Sequence, residues 1–250
     1  MHNQNAEEND DPDVGAISEL GGSYTTIIPV RSEDPFLKQA IDSVLAQSAP
    51  SGPIIVVVNG SDPEDSQSAQ NVREYQGRVQ LLTTEVSGMV AAVNYGIRMA
   101  KTEFIAFLDS DDLWVPDKQE RQLNLLSDQP LIDAATCLAT NFEDQSDGTR
   151  RELVTAEAIM FTATLFRAST FVKFGALDPE STHFNWLYRW WSVARERGIQ
   201  TRSIGTVGTL RRIHDNNSWV TENKEGNEIL FSELRSIMHR RRISQTQGNE

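Results

Sequence analysis

An α/β fold, built on a mostly parallel, doubly wound sheet with a β meander and C-terminal helices after it, is what this sequence predicts. Three observations carry that expectation: four short apolar runs rich in β-branched residues, amphipathic segments of helical spacing between them, and turn-forming residues where two of the runs stop. At 250 residues the chain is long enough for one sizeable domain, and length alone gives no reason for a second. In such sheets ligands sit beyond the carboxyl ends of the parallel strands, so a site is sought in the residues just after each run.

Residues 1–22 carry Glu7, Glu8, Asp10, Asp11, Asp13 and Glu19 without a Lys or Arg, and hold too little apolar surface to offset the entropy of ordering. They read as a disordered acidic tail. Thr25-Thr26-Ile27-Ile28-Pro29-Val30 is the first strand, and Phe36, Leu37, Ala40, Ile41, Val44 and Leu45 then recur at helical spacing. Ile54 to Val58 is a continuous apolar run, as expected of a buried parallel strand, and stops at Asn59-Gly60-Ser61-Asp62-Pro63. Val79 to Leu82 is a third strand; Met89, Val90, Ala92, Val93, Ile97 and Ala100 form the next helix, and Phe104 to Leu108 a fourth strand. A helix near Pro116 to Leu126 follows. Ile132 to Thr140 and the stretch beyond Asp147-Gly148 then resemble a hairpin or meander. A helix around Phe184 to Glu196, a β-rich return from Thr201 to Ile213 and an amphipathic helix with Ile229, Leu230, Phe231, Leu234, Ile237 and Met238 complete the pattern. The divisions expected are a tail at 1–22, a domain at 23–220, a helix at 221–243 and a tail at 244–250.

The net charge of −13 argues against DNA or RNA as partner, because a phosphate backbone calls for a clustered basic face. A nucleotide is compatible with it, since a divalent cation can neutralise a diphosphate locally. Cys137 is the only cysteine, which rules out an intrachain disulfide or a thiolate metal cluster and suits a reducing cytoplasm. No stretch approaches the roughly 20 apolar residues of a membrane span, and the N-terminus lacks the pattern of a signal peptide. The cluster His239-Arg240-Arg241-Arg242 leaves two readings: peripheral contact with the inner face of a membrane, or cations favoured at a helix C-terminus.

Leu108-Asp109-Ser110-Asp111-Asp112-Leu113-Trp114 sets three carboxylates within four residues directly after a buried strand, where like charges repel unless compensated. A hard divalent cation, Mn²⁺ or Mg²⁺, is the economical explanation, because such ions take one or two carboxylates and complete their shell with water and substrate phosphates. A ligand-free Asp-rich surface turn is the bland alternative.

Around that turn the sequence resembles the family-2 glycosyltransferases of GT-A fold, from about Tyr24 to Val220. The resemblance rests on Thr26 to Val30, on Ala40-Ile41-Asp42-Ser43-Val44-Leu45-Ala46-Gln47, on Ala91 to Ala100, on Phe107 to Pro116, and on Gly175 to Glu180 with Arg211 to Ser218. It implies inverting transfer from a nucleoside diphosphate sugar to a carbohydrate, lipid-linked or peptide acceptor. Pro29, Val30, Arg31, Asn59, Asn94, Asp109, Ser110 and Asp111 would surround the donor; Asp111 and His214 would reach the metal, and Asp112 would brace the turn or contact the sugar.

The chain departs from that pattern in three places. Val58 stands where an acid usually precedes Asn59-Gly60-Ser61, Val93 stands where an arginine is frequent, and Ser181 to Trp190 lacks the usual acidic pair. The acceptor hydroxyl's base is therefore left among His183, Glu180 and no base at all. If none acts, the chain is a GT-A-fold nucleotide-sugar-binding protein with little or no transferase activity. A phosphatase of haloacid dehalogenase type also uses Asp-x-Asp after a strand, but its motif opens the fold, whereas this one is central. Trp186, Trp190 and Trp191 with Tyr188 supply either core packing, as their helical spacing suggests, or stacking faces for a sugar acceptor.

Overall fold

A computed structural model describes residues 23–158, 160–181 and 185–214. The tails expected at 1–22 and 244–250, the helix at 221–243 with its basic cluster, and His183 lie outside the described residues.

The first half is the expected α/β alternation: β1 (Tyr24–Arg31), α1 (Leu37–Leu45), β2 (Ile54–Asn59), α2 (Gln67–Arg73), β3 (Gln80–Thr84), α3 (Met89–Met99) and β4 (Phe104–Phe107). The second half contains β5 (Leu113–Trp114), α4 (Lys118–Asp128), β6 (Ala134–Asp144), β7 (Arg150–Glu157), β8 (Thr164–Arg167), α5 (Ala168–Phe174), α6 (Asn185–Glu196) and β9 (Thr201–Arg212). Among the described residues these strands form one nine-stranded sheet in the order β3-β2-β1-β4-β8-β6-β9-β5, with β7 added to β6.

Strand alternation places one core on each face of the sheet. Ile54, Val56 and Val58 of β2 join Ile28 and Val30 of β1 and the apolar stripe Leu37, Ala40, Ile41 and Val44 of α1. Ile55 and Val57 point the other way, with Ile27, to meet Val90, Ala92 and Val93 of α3 and Phe171, Trp190 and Trp191 of α5 and α6. This is the period-2 consequence of a run buried on both faces. The interface of α3 with β1 is tight at Gly96, where a Cβ would lie 2.5 Å from Ile27 Cγ2.

Strand direction decides what reaches the site. β1, β2, β3 and β4 are mutually parallel. β8 runs antiparallel to β4, β6 antiparallel to β8, and β9 parallel to β6. Two reversals restore the original sense, so β9 ends on the same edge as β1, β2 and β4. The β-rich return is thus a strand inserted between β6 and β5, and β5, β8 and α5 are elements that periodicity did not separate out. The hairpin expected beyond Asp147-Gly148 is β6–β7, turning at Gln145 to Thr149 through main-chain bonds of 2.8 and 3.0 Å.

Candidate active site

Four segments converge at the carboxyl edge of the sheet: the loop after β1, the end of β2, the turn Asp109-Ser110-Asp111-Asp112 after β4, and the end of β9. The acidic turn is closed by Asp112 N–H donating to Asp109 O at 3.0 Å, and its entry is fixed by Leu108 N–H donating to Ile27 O at 3.0 Å. Ser110 Oγ donates to Asp34 Oδ2 at 2.6 Å, and Asp34 Oδ1 accepts from Phe36 N–H at 2.8 Å. The turn is thereby tied to the start of α1.

The carboxylates are crowded and poorly hydrated. Burial, then the neighbouring Asp111, raises the pKa of Asp109 to about 7, against a partial offset from Arg211. Asp112 is 2% exposed, and burial followed by Asp111 and Asp109 pushes its carboxyl well above the ordinary range. Its Oδ1 accepts from Arg212 N–H at 3.0 Å, and its buried Oδ2 has no hydrogen-bond partner among the described residues. That bond ties the end of the turn to β9. Asp111 is half-buried and its Oδ2 lies 3.1 Å from His214 Nε2, which joins residues 103 positions apart.

This donor set fits a hard divalent cation. The crowding of carboxylates that helps raise Asp109 and Asp112 is relieved by such an ion, and the imidazole nitrogen 3.1 Å from Asp111 is a usable ligand beside them. Among the described residues no three His, Cys, Asp or Glu side chains converge into a complete cage. An ion here would draw its remaining ligands from water and bound phosphates, the habit of Mg²⁺ and Mn²⁺.

Among the other residues expected around the donor, those of β1 and β2 stand at or near the ends of their strands, whereas Asn94 lies within α3. Pro29 and Val30 are buried within β1, so only their main chain is available, while Arg31 is exposed at the strand's end. Asn59 is 7% exposed; its Nδ2 donates to Val30 O at 2.8 Å and its Oδ1 accepts from Gly88 N–H at 3.1 Å. Its carboxamide latches β2 to β1 and to the residue before α3. Asn94 clasps Leu177 in both directions, donating to its carbonyl at 2.8 Å and accepting from its N–H at 2.9 Å. Glu180 is exposed, three residues past that clasp, and its N–H donates to Asp178 Oδ1 at 2.9 Å.

The aromatic cluster is resolved in favour of packing. Trp190 and Trp191 are buried, Trp190 Nε1 donates to Gly175 O at 2.9 Å, and Trp186 meets Phe161 edge-on at 5.5 Å. Tyr188 alone of the four is 42% exposed.

Reasoning from sequence missed Asp34, Phe36, Gln39, Asp144 and above all Arg212, whose side chain is 1% exposed. Its Nε donates to Asp111 O at 2.9 Å and its Nη2 to Gln39 Oε1 at 2.9 Å, while Nη1 pairs with Asp144. The guanidinium packs on the rings of Phe36 and Phe142, at 4.2 and 4.8 Å. The only sequence signal was adjacency to His214 in Arg211-Arg212-Ile213-His214; an arginine in a strand pattern otherwise reads as solvated.

A family profile described as Glycosyl transferase family 2 matches residues 25–190, more than half of the chain. Among curated proteins, a glycosyltransferase of Rickettsia felis is 37% identical over 102 residues, which is 40% of this chain and 17% of that protein. A glycosyltransferase of Haemophilus influenzae is 36% identical over 107 residues, 42% of this chain and 43% of its own length. The matches thus span less than half of those relatives. Among solved structures, S. aureus TarS 1–349 superposes with a TM-score of 0.61 at 14% identity, covering 76% of this chain and 60% of that one. A mannosyltransferase of Pyrobaculum calidifontis in complex with GDP-Man and Mn²⁺ gives 0.58 at 18% identity, covering 78% and 58%.

Proposed function

Because the chain belongs to glycosyl transferase family 2, we propose that it moves a sugar from a nucleoside diphosphate sugar onto a hydroxyl of a carbohydrate, lipid-linked or peptide acceptor. The fold is GT-A. The observation that carries the finer reading is the meeting of the acidic turn with the end of β9, where Asp111 and His214 stand 3.1 Å apart at the carboxyl edge of the sheet. Nucleotides bind at that edge of open α/β sheets. The structures of TarS with UDP-GlcNAc and of the Pyrobaculum enzyme with GDP-Man and Mn²⁺ are in keeping with such a donor. We assign the transferase unit to residues 23–220.

Asp109 and Ser110 line the donor side of the turn, Arg31 is the cation at the end of β1, and Asp111 with His214 would hold Mn²⁺ or Mg²⁺. Such an ion supplies Lewis-acid neutralisation of the diphosphate that leaves. Asp112, buried and braced by Arg212 N–H, keeps the turn's geometry fixed while charge develops outside it. In single-displacement transfer a base takes the proton of the acceptor hydroxyl, and we assign that task to His183 ahead of Glu180. Among the described residues no helix is long and apolar enough to cross a membrane; we place the enzyme in the cytoplasm, its acceptor either free or at the inner membrane face.

One observation favours a second reading, nucleotide-sugar binding with little or no transfer. Val58 is fully buried and the Asn59 amide is bonded to the main chain, so neither of these last two residues of β2 offers a carboxylate to a donor. Calorimetric titration of UDP-, GDP- and dTDP-sugars with Mn²⁺, followed by assay of sugar release and transfer, separates the two. Turnover that falls at least tenfold in His183→Ala, with donor affinity kept, supports the enzyme; binding without turnover on any acceptor supports the second reading.

A further inference from the structure

The contacts of Arg212 close a ring. Arg212 Nε holds the Asp111 carbonyl, Asp111 Oδ2 meets His214 Nε2, the His214 ring lies 5.1 Å from the Phe36 ring, and Phe36 covers the Arg212 guanidinium at 4.2 Å. A second arm runs outward, from Arg212 Nη2 to Gln39 on α1 and from Nη1 to Asp144 at the end of β6. The ring of Phe142 also packs on the guanidinium, at 4.8 Å. The side chain is thus held by two aromatic rings and through all three nitrogens.

A cation buried only to neutralise the acidic turn needs no such geometry; a lysine-like point charge would do. What the planar fork adds is direction. It fixes the Asp111 peptide against two elements, α1 and the β6–β7 hairpin, that are remote from the turn in sequence. The Asp111 carbonyl and carboxylate belong to one residue, so fixing the peptide fixes the origin of the side chain that reaches His214. Phe36 plates Arg212 and His214 together, and so sets the position of the imidazole relative to that same carboxylate.

We propose that Arg212 is a positioning residue for donor and cation binding: through the Asp111 carbonyl and the Phe36 ring it holds the Asp111 carboxylate and the His214 imidazole in register, using Gln39 and Asp144 as its anchors. The inference rests on the functional reading above and deepens it. It makes α1 and the β6–β7 hairpin part of the site's support.

The test measures the affinity of Mn²⁺ with UDP-GlcNAc or GDP-mannose by calorimetry, alongside urea unfolding, for wild type, Arg212→Lys and the double variant Gln39→Leu with Asp144→Asn. Lysine keeps the charge and loses the fork. Outer partners of metal ligands are worth about 10- to 100-fold in affinity, and a loss in that range is expected for Arg212→Lys in protein that remains folded. The double variant is expected to lose affinity several-fold with Arg212 still in place. A purely structural brace would lower the unfolding midpoint and leave the affinity of the folded fraction unchanged. Wild-type affinity in folded Arg212→Lys overturns the proposal; if that variant does not fold, unchanged affinity in the double variant overturns it instead. Failure of wild type itself to bind either donor with Mn²⁺ is a different result and removes the glycosyltransferase reading beneath it.

Discussion

Lys118 shows how a single side chain carries a consequence that no motif announces. It is fully buried, donating to Gln122 Oε1 at 2.8 Å with its ammonium 4.2 Å from the centroid of the Trp114 ring. Burial lowers its pKa from 10.5 to about 8. Between those values the unfolded chain binds more protons than the folded one, so stability rises with pH across that window, by up to about 3 kcal/mol at ~1.4 kcal/mol per unit. Lys118→Met removes the titrating group. Urea unfolding at pH 8 and 10.5 should show wild type gaining on the variant as pH rises; a constant difference would mean that the amine is solvated. Asn94 makes a parallel case. Its two bonds to the Leu177 main chain predict that Asn94→Leu costs about 1–3 kcal/mol in unfolding free energy, since two main-chain groups lose their partner. The residue's type and place were legible in the sequence, but its duty was not: an amide reads alike whether it faces a base or a carbonyl.

At the scale of elements, the acidic turn was readable because a buried strand ending in three carboxylates is a local pattern, and local patterns survive without coordinates. Its support was not readable, because Asp34, Gln39, Asp144 and Arg212 reach it from sequence separations of 68 to 173 residues as measured from their bonded partners. Of the described helices, α1, α3, α4 and α6 were placed to within two residues, α4 beginning at Lys118 where Pro116 was expected, while α2 was given no residues. β5 escaped detection because two residues carry no period, and β8 with α5 because four and seven residues carry hardly more. The contact of α3 with β1 gives a sharp test at this scale. A methyl at Gly96 would lie within 3.2 Å of three Ile27 carbons. Gly96→Ala should therefore lower stability by about 1–3 kcal/mol despite alanine's better helix propensity, read from the midpoint of urea unfolding. Unchanged stability would show that α3 can slide away from the sheet.

Across the whole molecule, strand direction is what turns a sequence pattern into a site. The first four strands were expected to be parallel, and their carboxyl edge was expected to hold the ligand. That β9 would return to the same edge follows only from two antiparallel reversals, through β8 and β6, and no window of sequence contains both. The long return brings His214 to Asp111 and Arg212 beneath the turn. It also delivers Arg211 and Arg212 to the turn where Asp109, Asp111 and Asp112 crowd together, which sets two cations beside that edge in a chain whose net charge is −13. The central claim is that this edge holds a divalent cation and a nucleoside diphosphate sugar through Asp111. The most direct measurement is calorimetric titration of UDP-GlcNAc and GDP-mannose into wild type and Asp111→Ala, each with Mn²⁺ and with chelator. Metal-dependent binding of either donor by wild type, reduced at least tenfold in folded Asp111→Ala, is the predicted result; equal metal-dependent binding by both proteins would contradict the account.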